Sequence, residues 1–75
     1  MKQERLKELS EIYDELSNMR DKIDIIANEE QEEFDDMSIG FKMSRDGLIM
    51  ESGIKDLGDT FYHLEEAMNY LIDFV

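Results

Sequence analysis

MESGIKDLGDTFYHLEEAMNYLIDFV, residues 50–75, sets Met50, Ile54, Leu57, Phe61, Leu64, Met68, Leu71 and Val75 at alternating spacings of four and three. That is a period of 3.5, which only a helix can place on one face, and which keeps an apolar seam turned toward a neighbour along a left-handed supercoil. The pattern predicts a helix running to residue 75 and packed nearly antiparallel on another. Gly53 and Gly58 lie inside it at about 1 kcal/mol each relative to alanine. A close backbone approach at Gly58, which flanks the seam, is the expected compensation.

The partner lies upstream. From Leu6 the apolar residues are Leu9, Ile12, Tyr13, Leu16, Met19, Ile23, Ile26 and Ala27, again spaced by threes and fours. With Leu9 as heptad position a, Leu16 and Ile23 are also a, and Ile12, Met19 and Ile26 are d. Tyr13, Ala27 and Phe34 widen the stripe at e. Glu30 and Glu33 take the next a and d positions, so either the helix parts from its neighbour there or these carboxylates have a purpose inside. Between the two patterns, Asp35 to Gly47 (DDMSIGFKMSRDG) breaks both periods. It reads as the turn, with Ile39, Phe41 and Met43 alternating in a short extended piece laid across the open end of the hairpin. Ser44 or Asp46 is the expected cap of the second helix.

The fold expected is all-α: a single domain over residues 1–75, with helix 3–34, turn 35–47 and helix 48–75 forming an antiparallel coiled-coil hairpin. Composition agrees. The chain has 75 residues, no proline, no cysteine and four glycines, with 37% charged residues, a balance suited to helices joined by few turns. Without disulfides or a Cys/His zinc cluster, so short a chain must draw its stability from helix packing or from a second copy of itself. Tyr62, Tyr70, Ile72 and Phe74 leave apolar surface beyond one seam. Pairing of two hairpins into a four-helix bundle, a homodimer, is therefore expected.

Twenty Asp and Glu against eight Lys and Arg give a formal net charge of -12. Direct binding of nucleic acid is disfavoured, since only Lys42, Arg45 and Lys55 form any basic cluster. Anionic lipid would be repelled likewise. No apolar run approaches the roughly 20 residues that span a bilayer, and MKQERLKELS carries no secretory signal, which points to a cytoplasmic protein.

Residues carrying a resemblance are Glu29, Glu30 and Gln31, then Phe34, Asp35 and Met37, then Ser44, Arg45 and Gly47, then Met50 and Glu51, and finally LEEAMNYL from Leu64 to Leu71. Over Glu29 to Leu71 the chain resembles a family of small bacteriophage and prophage proteins built as helical hairpins. The resemblance implies the hairpin and a phage setting in a bacterial cytoplasm, and it brings no activity with it.

The densest feature is EEQEEFDD, in which Glu29, Glu30, Glu32, Glu33, Asp35 and Asp36 supply six carboxylates in eight positions. They crowd the helix end where the backbone dipole is already negative. Solvation of a small apolar protein is one reading. The functional reading is steering toward a basic groove on a host protein, a nucleic-acid mimic or inhibitor, with Phe41 and Met43 in the turn giving local packing. These eight residues are the candidate partner-binding set, and the chain is expected to be no enzyme and to need no cofactor or metal.

An alternative starts from Glu29, Glu30 and Glu33 followed by Asp56 and Asp59, which, with KDLGDTFYHL, resembles the magnesium site of MazG-like nucleoside triphosphate pyrophosphatases. Carboxylates three or four apart share one helical face, and two such sets could hold a hard cation on a triphosphate. With a turn near residue 41, however, Glu33 faces about residue 49, one to two turns from Asp56 and Asp59. The single histidine, His63, lies between Asp59 and Glu66 and reads as a surface imidazole beside a carboxylate.

Overall fold

A computed structural model describes residues 1–75 and contains helices and turns only. Helix α1 spans Gln3–Asp35, a one-turn helix α2 spans Ile39–Lys42, α3 spans Arg45–Leu71, and a 3₁₀ turn, Ile72–Phe74, closes the chain. The two long helices pack side by side into a rod of 58 × 15 × 13 Å. This is the all-α hairpin that the two periodicities predict, and no helix in it is long and apolar enough to cross a membrane.

The face that α3 gives to α1 is the 3.5-residue seam as far as Leu71: Met50, Ile54, Leu57, Phe61, Leu64 and Leu71 are half-buried and Met68 is only 4% exposed, whereas the helix expected to reach residue 75 gives way to the 3₁₀ turn after Leu71 and leaves Val75 50% exposed. On α1 the inward face is rotated from the expected one. Columns a and e point toward α3, with Leu9, Tyr13, Leu16, Ile23 and Ala27 half-buried and Phe34 8% exposed. Arg20 fills the e position between Tyr13 and Ala27. Its guanidinium bonds Asp21 Oδ1 at 3.0 Å and stands 6.0 Å from the Phe61 ring centre. The long aliphatic stem covers apolar surface while the charge stays near the rim, so an arginine can occupy a seam position. Column d is left outside: Ile12 is 44%, Met19 47% and Ile26 47% exposed.

The joint differs from the extended piece expected over Ile39–Met43. The Ser38 hydroxyl accepts from the Phe41 amide at 3.1 Å and so caps α2 as a helical turn. A serine that can satisfy an orphan amide favours a helix start over a strand. Helix α3 then begins at Arg45, three residues earlier than expected, because Ser44 accepts from the Gly47 amide at 3.1 Å and donates to the Phe41 carbonyl. Of the two capping candidates, Ser44 is the cap.

The close approach expected at Gly58 is absent: a Cβ there, or at Gly53, would meet nothing within 4 Å. It occurs instead at Gly47. That residue is buried, and a Cβ on it would run into the Phe41 carbonyl oxygen and lie 2.9 Å from Lys42 backbone carbons. The backbone of α2 rests directly on the first turn of α3.

Candidate interaction surface

The acidic segment occupies the last two turns of α1. Phe34 anchors it by turning into the joint, where the Lys42 ammonium sits 5.6 Å from its ring centre and donates to the Asp35 carbonyl at 2.9 Å. A cation bonding a terminal carbonyl offsets the negative end of the helix, where α1 has no basic residue of its own in its last turn. The crowding of carboxylates at this end is thus partly answered by a lysine seven residues further along the chain.

Around that anchor, Glu29, Glu32, Glu33, Asp35 and Asp36 are all exposed. None of the six carboxylates forms an ion pair, since the ion pairs of the chain are Arg20–Asp21 and His63–Glu66. Asp35 takes a 2.9 Å hydrogen bond from the Gln31 side chain. Glu30 stands apart. It is half-buried and lines a shallow cleft with Ile26, Met50, Gly53, Ile54 and Leu57, so the first helix does not leave its neighbour at the polar a position.

The two hydrophobic members of the candidate set divide. Phe41 is half-buried in the joint, where its carbonyl serves the Ser44 cap, whereas Met43 is 76% exposed. Ile39, outside the set, is equally open at 77%. The alternation of residues 39, 41 and 43 contains no clue to this split, which follows from the helical turn that Ser38 starts. The end of the rod therefore shows exposed carboxylates beside two apolar side chains, the composition needed for steering followed by local packing.

No family model, curated protein or solved structure matches the chain.

The magnesium arrangement is not assembled in the hairpin. No group of three or more His, Asp or Glu side chains comes together in a way that could hold a metal ion. Glu30 is level with Met50 to Leu57 in the cleft, while Asp56 and Asp59 are exposed on α3. His63 is likewise a surface residue, its Nδ1 lying 3.8 Å from Glu66 Oε1, within ion-pair range when the ring is protonated.

A second surface feature runs along the rod rather than at its tip. Met19, Lys22 and Ile23 of α1 form a cleft with Thr60 and Leu64 of α3. Together with the cleft around Ile26 and Leu57 it makes one side of the hairpin an apolar strip. The d-column heptad contains the signal for this strip, although periodicity by itself assigns that column to the internal seam.

Proposed function

We propose that the chain is an interaction protein of phage or prophage type, acting in a bacterial cytoplasm by binding a host protein through its acidic tip. The supporting observation is the tip itself: five exposed carboxylates without cationic partners, next to the open side chains of Ile39 and Met43. A field of that sign raises the encounter rate with a basic groove, and the apolar pair supplies contact once the groove is reached. Such a surface suits inhibition of a protein that handles nucleic acid, where carboxylates stand in for phosphates. We propose further that the working unit is a homodimer, two hairpins forming a four-helix bundle, because one hairpin alone leaves an apolar strip in water.

The test is a comparison of capture from host lysate by the wild type and by a variant carrying Glu29→Gln, Glu32→Gln, Asp35→Asn and Asp36→Asn. These four residues are exposed and form no ion pair or side-chain hydrogen bond with α3, so the far-ultraviolet circular dichroism of the two proteins is expected to coincide. A partner held by the wild type, released by salt and lost by the variant is the expected result. Equal capture by both proteins would discard the acidic mechanism.

A further inference from the structure

The d column of α1 extends beyond its apolar members. Seven residues before Ile12 stands Arg5, and seven after Ile26 stands Glu33, so the outward stripe reads Arg5, Ile12, Met19, Ile26, Glu33. All five are exposed, and neither Arg5 nor Glu33 has an ion-pair partner within the chain. The stripe is symmetric about Met19 in shape and antisymmetric in charge. Met19 is also the midpoint of α1, which runs from Gln3 to Asp35.

Helix α3 repeats the symmetry alongside. Leu64 lines the same cleft as Met19, and Leu57 the same cleft as Ile26. One heptad on either side of Leu64 are Leu57 and Leu71, both half-buried. The strip thus has two parallel columns, each palindromic about one level of the rod. A surface that must meet its own copy across a two-fold axis needs this property, because residue i then faces j while j faces i.

Resting on the homodimer reading above, we infer that the strip is covered by a second copy whose two-fold axis crosses the rod at the Met19–Leu64 level, with the turns at opposite ends. Met19 meets Met19 of the second copy on the axis, Ile12 meets Ile26, and Arg5 meets Glu33 at both ends. The amount of open surface matches what such a dimer needs. The chain exposes 5905 Å², about 1,100 Å² more than the ~4,800 Å² of a compact monomer of its mass, and a standard interface takes about 800 Å² from each partner.

Charge selects the orientation. Turns at opposite ends bring Lys2 and Arg5, near the start of each chain, beside the carboxylates of Glu29–Asp36 of the other. They also hold the two acidic tips roughly 40 Å apart at 1.5 Å per residue, several Debye lengths. Turns at the same end would instead place α1 over α3, oppose Glu33 to Met50, leave Arg5 with nothing opposite, and crowd both acidic tips together.

The chain has no cysteine, so introduced thiols report the geometry cleanly. Sedimentation equilibrium of the wild type is expected to give a dimer. Met19→Cys is expected to form a disulfide-linked dimer under mild oxidation, while Asp14→Cys, on the far side of α1, stays unlinked. Arg5→Glu and Glu33→Arg are each expected to weaken dimerisation about tenfold, and the double variant to restore it. A wild-type monomer at all concentrations overturns both this inference and the homodimer reading. A dimer in which Met19→Cys alone does not link, but a mixture of the Met19→Cys and Leu64→Cys variants gives a disulfide between one of each, overturns the antiparallel arrangement and leaves the homodimer standing. Failure of the double charge reversal to restore dimerisation overturns the Arg5–Glu33 pairing.

Discussion

At Gly47 a single hydrogen atom in place of a methyl group decides how the joint closes. The residue is helical with an ordinary φ, so its role is space and not backbone freedom. Gly47→Ala is expected to lower stability by more than about 1 kcal/mol, because the Phe41 carbonyl and the Lys42 backbone must move to admit the methyl group. Gly58→Ala is expected to do the opposite. Its Cβ enters open space, and replacing a mid-helix glycine gains about 1 kcal/mol of helix propensity. Urea midpoints of the two variants, read by circular dichroism, check both signs at once. The contrast also marks a limit of legibility. All the glycines look alike in sequence, and the one that matters is chosen by where α2 lies, which Ser38 and Ser44 determine through their capping bonds.

Between elements, the seam of α3 is read directly from its period as far as Leu71, because a single column pair accounts for its large apolar inward residues. That of α1 is not. Three apolar columns, a, d and e, are present on α1, and one antiparallel neighbour can cover only two of them. Periodicity fixes the stripe but not which pair faces the sibling helix, and Arg20 at e obscures the choice further because a charged head disguises a packing stem. Phe34 resolves it at the turn end. It is the most deeply buried residue of α1, lying beneath Lys42, and it pulls column e inward. Phe34→Ala is accordingly expected to cost about 3 kcal/mol and to unfold the joint first. Hydrogen exchange would register this as early loss of protection over residues 34–47 while the middle of α1 stays protected. Uniform loss along both helices would mean instead that Phe34 contributes no more than any other seam residue.

For the whole molecule the governing fact is shape. The radius of gyration is 17.1 Å, against about 11 Å for a compact domain of this length, and only Phe34 and Met68 among the apolar side chains are buried. A chain ordering some seventy residues around so thin a core has little apolar burial to set against its conformational entropy. Folding and association should therefore be one event, and stability should depend on protein concentration. Taking about 0.7 kcal/mol of unfolding enthalpy per residue for two chains, the thermal midpoint is expected to rise about 5 °C for each tenfold increase in concentration. Ile26→Ser sharpens the measurement. In a lone hairpin Ile26 is half open to water, and its replacement should change stability by no more than about 0.5 kcal/mol, as at an ordinary surface site. Covered by a second copy, the same side chain is interior, and its loss should lower the midpoint by several degrees at every concentration. A concentration-independent melt that Ile26→Ser leaves unmoved would establish that the thin hairpin stands alone, and would require its stability to come from helix propensity and the joint.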